Sequence, residues 1–297
     1  MKTVFQGILP PGQIFFDEPM SAHTTFRVGG PADVFVEPDS VDQVRACIDA
    51  ANDASVPWRM LGCGSNVLVC DAGVRGLVVH LGERFAGIDA EGDTLRVCAG
   101  ATNETVADAA LSAGLAGYEF ACGIPGSVGG AAIMNAGAYD GQFADVGASV
   151  ACLTSSGEVR SVSASEAQWG YRHSMMMERG YVVLEATLQL AQGDASEIRS
   201  RMDDLQERRA AKQPLELGSA GSTFKRPEGH FAGKLIQDAG MRGHTVGGAQ
   251  VSEKHCGFVV NKGGATAADV LAVIRDVQEA VYAHSGVQLE PEVRIWD

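Results

Sequence analysis

The sequence predicts an α+β protein of three units. Three observations carry that prediction: a β-α-β alternation over the first eighty residues, a second strand-rich stretch built around one helix and one hairpin, and a helical final third. At 297 residues and 45% hydrophobic content the chain can bury a large core, so division into domains is expected. The expected boundaries are 1–82, 83–193 and 194–297.

The first unit opens with the turn-rich 24–32 segment and enters a strand at 33–37, where Val34 and Val36 alternate with Phe35. Ser40 is placed to cap a helix over 41–54 with Val44, Cys47, Ile48 and Ala51 on one face. Pro57 ends that region, and strands follow at 58–61, 67–70 and 77–81. Between the first two lies a small-residue loop, Gly62, Cys63, Gly64, Ser65 and Asn66, at a strand end where α/β proteins commonly hold ligands. The second unit has a strand at 94–98, a helix from Asn103 closed by Gly114, a hairpin over 148–162 turning at Ser156-Gly157, and a strong strand at 181–190. In the third, Asp194 caps a long charged helix that Pro214 stops, followed by helices at 233–239 and 266–284, a strand at 257–261 and a terminal strand at 288–295.

A net charge of −14 argues against nucleic acid or an anionic membrane as the main partner. No apolar stretch approaches a membrane span, and the first eleven residues lack the apolar core of a signal peptide. Seven scattered cysteines without a C-x-x-C pair read as buried thiols in a reducing cytoplasm, and the histidines lack metal-ligand spacing, so no metal is expected. Eleven of the 23 Lys and Arg residues fall between Arg199 and Lys262, which marks that region for an anionic small molecule. Arg199, Arg201 and part of the Arg208-Arg209 pair read instead as a solvated helix face.

The run 119–141 holds six glycines: Gly123, Gly126, Gly129, Gly130, Gly137 and Gly141. Each costs roughly 0.5–1 kcal/mol against Ala inside a regular element, so the run reads as backbone laid bare against a ligand. A flexible linker is the alternative, and Ile124, Pro125, Val128, Ile133 and Met134 are too apolar for one. Neither nucleotide fingerprint fits: Val67 stands where G-x-G-x-x-G needs its last glycine, and Leu235 follows Gly233-Lys234 where a P-loop needs Ser or Thr.

Seven segments occur in an order that resembles the UDP-N-acetylenolpyruvoylglucosamine reductases, the shorter type II subclass. They are Thr25–Gly30, Leu61–Leu68, Gly123–Gly130, Asn135–Ala138, Tyr171–Ser174, Ala220–Lys225 and Glu290–Arg294. The resemblance implies a two-part FAD-binding fold like that of vanillyl-alcohol-oxidase and PCMH-type flavoproteins, with a third α/β domain for substrate. It implies non-covalent FAD held by the 62–66 loop and by Gly123, Ile124, Pro125, Gly126, Ser127, Gly129, Gly130, Asn135, Gly137 and Ala138. It further implies NADPH as co-substrate, UDP-N-acetylglucosamine enolpyruvate as substrate, and a cytoplasmic monomer of peptidoglycan precursor synthesis.

By the same resemblance Ser222 is the proton donor, and Arg172 and Glu292 support the enolate. A permanently charged guanidinium fork suits a carboxylate gaining charge. Taken alone, Ser222 would be a turn residue and Glu292 a surface carboxylate in the terminal strand. Lys212, Lys225, Arg226 and Lys234 are the candidates for the substrate's diphosphate and carboxylate. The chain departs from the family pattern at Met175-Met176-Met177, which reads as soft packing and leaves the bracing of Arg172 open. An alcohol-oxidising flavoenzyme sharing only the cofactor domain, or a catalytically silent nucleotide binder, are the rival readings.

Overall fold

The computed structural model describes residues 2–297, and the chain folds into two compact units. One comprises the residues up to Phe15, Val34–Cys63 and Leu77–Arg209; the other comprises Phe16–Asp33, Gly64–Gly76 and Ala210–Asp297. These cut the chain at other points than the three-part division.

In the first unit, Trp58–Leu61 pairs in parallel with Val74–His80, with Trp58 opposite Leu77 and Leu61 opposite His80. Leu77, Val78 and Val79 are all fully buried, which is why this strand reads as an unbroken apolar run rather than an alternating one. The crossover helix Val41–Asp53 buries Val44, Cys47, Ile48 and Ala51, the face predicted from periodicity. A five-stranded antiparallel sheet follows, ordered Val159–Ser163, Gly147–Leu153, Val182–Gln189, Thr94–Cys98 and Ile88–Glu91. Its hairpin turns with Gly157 at φ 80°, a left-handed position that favours glycine. The polar Ile88–Glu91 edge strand was not legible as a strand.

The 119–141 run is more regular than a bare loop. It contains a short 3-10 turn at Glu119–Ala121, the helix Val128–Met134 and a two-residue hairpin pairing Gly137-Ala138 with Gly141-Gln142.

The second unit is built on a three-stranded antiparallel sheet, Thr245–Val246, Ala249–Val251 and Val259–Asn261. The helix Ala267–Ser285 starts in a capping box between Thr266 and Asp269 and packs Val270, Val273, Ile274 and Val277 into a core with Phe26, Phe224 and Val251. The terminal strand is shorter than expected. Only Arg294–Trp296 forms it, pairing in parallel with Val67–Val69. Residues 290–292 instead run beside 223–225, and Pro291, having no N–H, cannot extend a ladder. Glu292 therefore lies before the strand rather than within it. Among the described residues no helix is long and apolar enough to cross a membrane.

Candidate active site

Gly62 and Ser127, far apart in sequence, meet in the first unit. A methyl group at Gly62 would lie 2.3 Å from Ser127 Oγ, and Ser127 is buried. None of the backbone N–H groups of residues 62–66 donates to another group among the described residues. Unpaired amides in a half-buried loop are suited to cradling an anion such as a pyrophosphate. Burial raises the Cys63 thiol above its ordinary value, so it sits there as a neutral group.

Five of the six glycines of the second loop divide into two kinds. Gly123, Gly129, Gly137 and Gly141 make room for the chain itself: methyl groups there would fall within 3 Å of Arg209, Ala99, the Gly141 carbonyl and Phe120, respectively. Gly130 is different. It is exposed on the Val128–Met134 helix, and a methyl group would meet nothing closer than Ser127 Oγ at 3.8 Å. Gly64 also serves the fold, since it holds φ 61° and a methyl group would lie 2.1 Å from the His23 carbonyl. Within the first unit, Gly62 against Ser127, the unpaired amides of Gly62 and Cys63 and the bare face at Gly130 fit a dinucleotide such as FAD, although fewer glycines face it than their number implies.

Asn135 is committed to the fold. Its Nδ2 donates to Gln142 Oε1 and to the Gly170 carbonyl, both at 3.0 Å, and its Oδ1 accepts from Ala144 N–H at 2.9 Å. Both amide hydrogens are thus taken, and no side-chain donor is left for a cofactor.

Arg172 belongs to the first unit, in a tight turn over residues 170–173. Its guanidinium carbon lies 5.0 Å from the centre of the exposed Tyr171 ring. The Met175–Arg179 segment is a short helix capped by Ser174, with Met176 fully buried, so the methionines are packing as expected.

Ser222 and Glu292 belong to the second unit, where one residue ties their segments together. Buried Thr223 accepts the Glu292 N–H at its carbonyl (2.8 Å), donates its own N–H to the Gly257 carbonyl (2.9 Å) and accepts Val259 N–H at its hydroxyl (2.9 Å). Ser222, preceded by Gly221 at φ 73°, is exposed beside this anchor. Asn66 Nδ2 donates to the Glu292 carbonyl at 3.2 Å, and Arg294 N–H donates to the Asn66 carbonyl at 2.9 Å. The cations are distributed unevenly. Lys225 pairs with Glu290 and Lys234 with Asp238, while Arg226 stacks on Phe231 at 4.0 Å. Lys212 is exposed, and together with burial it lowers the pKa of His255, whose Nδ1 accepts Gly257 N–H at 3.1 Å.

Arg209 is the residue that sequence reasoning missed. Arg208 does sit on a solvated face, paired with Asp204, but Arg209 is buried. Its side chain fills the space a methyl group at Gly123 would need, and its guanidinium carbon lies 5.6 Å from the Tyr139 ring. Burial lowers its pKa, although a guanidinium stays charged. The signal was present: Ile198, Met202, Leu205 and Arg209 are the buried stripe of one helix, at spacings of four, three and four.

Residues 32–163 match the model of an FAD binding domain, and residues 213–296 match that of the UDP-N-acetylenolpyruvoylglucosamine reductase C-terminal domain. A UDP-N-acetylenolpyruvoylglucosamine reductase of Agathobacter rectalis is 52% identical, over 97% of this chain and 95% of the relative. One from Clostridium beijerinckii is 49% identical, over 99% and 97%. The crystal structure of the Thermus caldophilus enzyme superposes with a TM-score of 0.82 at 34% identity, covering 96% of this chain and 98% of that one. The chain belongs to the UDP-N-acetylenolpyruvoylglucosamine reductase family and is an FAD-dependent oxidoreductase of that type.

Proposed function

We propose that the protein reduces UDP-N-acetylglucosamine enolpyruvate to UDP-N-acetylmuramate with NADPH, as a cytoplasmic monomer in peptidoglycan precursor synthesis. When bound, FAD would supply the hydride chemistry, with NADPH as the source and the terminal alkene carbon of the enolpyruvyl ether as the acceptor. The amides of 62–66 and the open face at Gly130 hold the cofactor, with Ser127 joining the two loops. Hydride addition leaves negative charge on the ether-bearing carbon and its carboxylate. Arg172 pairs with that carboxylate, Glu292 hydrogen-bonds beside the enolate, and the Ser222 hydroxyl delivers the proton to carbon and recovers one from solvent. Lys212 and Arg226 take the diphosphate, and Lys225 and Lys234 exchange Glu290 and Asp238 for substrate oxygens. In the three-part division, 1–82 and 83–193 serve the cofactor and 194–297 the substrate.

The observation that carries this reading is the Thr223 anchor, which holds an exposed hydroxyl at Ser222 next to the segment bearing Glu292. The test follows flavin absorbance without oxygen. NADPH should bleach the yellow holoenzyme, and UDP-N-acetylglucosamine enolpyruvate should restore the colour. A protein that bleaches but is not reoxidised by that compound does not have it as substrate.

A further inference from the structure

Arg172 holds φ 54° in a turn closed from both sides: Gly170 N–H donates to the His173 carbonyl at 3.1 Å, and His173 N–H donates to the Gly170 carbonyl at 3.3 Å. A long side chain keeps this left-handed conformation only where its surroundings impose it. Here the surroundings are the carbonyl end of the Val128–Met134 helix. Trp169 Nε1 donates to the Ala132 carbonyl at 2.8 Å, Ser174 Oγ to the Ile133 carbonyl at 2.7 Å, and Asn135 Nδ2 to the Gly170 carbonyl at 3.0 Å. The last carbonyls of a helix have no partner within it, so the first two bonds complete the helix, and the three together fasten both flanks of the turn. The same helix carries Gly130, an open position of the glycine run.

The geometry points to Trp169, Ser174 and Asn135 as positioning residues that fix the Arg172 guanidinium relative to the helix carrying Gly130. This rests on the reading of Arg172 as the partner of the substrate carboxylate. It also answers the question raised by the methionine stretch. Bracing comes from the residues flanking the turn and from the helix end, so the identity of residues 175–177 matters little beyond packing.

The two available deletions differ in what else they disturb. Ser174 is fully buried and also accepts Met177 N–H at 3.2 Å, so Ser174→Ala removes a helix cap as well. Trp169→Phe removes the indole donor and part of the ring's volume but no helix cap, and keeps an aromatic ring facing Phe143, whose centre lies 5.3 Å from that of the indole. Both variants of the holoenzyme should slow substrate-driven reoxidation by at least about tenfold, since small displacements of a reacting group cost up to ~10²-fold. NADPH bleaching and FAD content should not change, Ser174→Thr should restore the rate, and the His173 amide should exchange faster with deuterium in both deletion variants. Equal slowing of the two half-reactions, loss of FAD in proportion, or an unchanged reoxidation rate in Trp169→Phe overturns the inference. Arg172→Ala in parallel separates the two levels: if it reoxidises normally, the role of Arg172 itself is wrong.

Discussion

Gly129 and Gly130 are neighbours in one helix, and alanine should act on them in opposite directions. At Gly130 a methyl group enters open space, 3.8 Å from its nearest neighbour. The helix gains about 0.5–1 kcal/mol from the lost backbone freedom, so the apoprotein should melt up to about 2–4 °C higher. At Gly129 the methyl group would stand 2.8 Å from Ala99 Cβ and 3.1 Å from its carbonyl oxygen, and the Gly129 N–H already donates to that oxygen at 2.9 Å. Backbone must move there, at about 1–3 kcal/mol, which outweighs the helix gain and lowers the melting temperature. The cofactor reverses the ranking at Gly130. If FAD lies on this face, the added methyl group should weaken its binding by about tenfold or more, about 1.4 kcal/mol. Thermal melts of the apoprotein and titration with FAD by fluorescence quenching separate the two effects. Undiminished FAD affinity in Gly130→Ala would show that no ligand lies over Gly130, and a lowered apoprotein melting temperature would refute the helix argument.

Ser222→Ala should leave NADPH bleaching intact and slow reoxidation by at least ~10²-fold, the lower range for general acid catalysis; a normal rate returns Ser222 to the role of a turn residue. Asp71 accepts the N–H groups of Ala267 and Ala268 at 2.8 and 3.0 Å, so Asp71→Ala should cost about 1–2 kcal/mol, and an unshifted urea midpoint would mean that water replaces the cap. His255 has its pKa lowered from 6.5 by burial and by Lys212, so below that pH the unfolded chain binds the extra proton and stability falls. That contribution is complete above the unfolded value and lost as pH drops toward the folded one. His255→Gln should flatten this part of the stability profile, measured by urea unfolding between about pH 5 and 7.5, and an unaltered slope would assign it to another group.

The residues proposed for the chemistry were legible only through the family resemblance, because Arg172, Ser222 and Glu292 stand inside its short motifs, while taken alone Ser222 reads as a turn residue and Glu292 as a surface carboxylate. Their supports were not. Asp71 caps a helix 196 residues away and Thr223 joins segments nearly seventy residues apart, and such pairings leave no period in a sequence. Asn135 shows the same limit within a motif. It reads as a cofactor contact, yet its donors are held by Gln142 and Gly170. The glycines fail for a related reason, since a residue without a side chain cannot say whether the space is for a ligand or for Ala99, Phe120 or Arg209. Arg209 is the opposite case, because its place in the stripe of Ile198, Met202 and Leu205 was visible, yet the pair with Arg208 was left undivided between the solvated face and the interior. A buried guanidinium is costly unless something nearby uses its charge. Its position against Gly123 therefore makes periodicity, read without regard to charge, the better guide to where this family's motif meets its own fold.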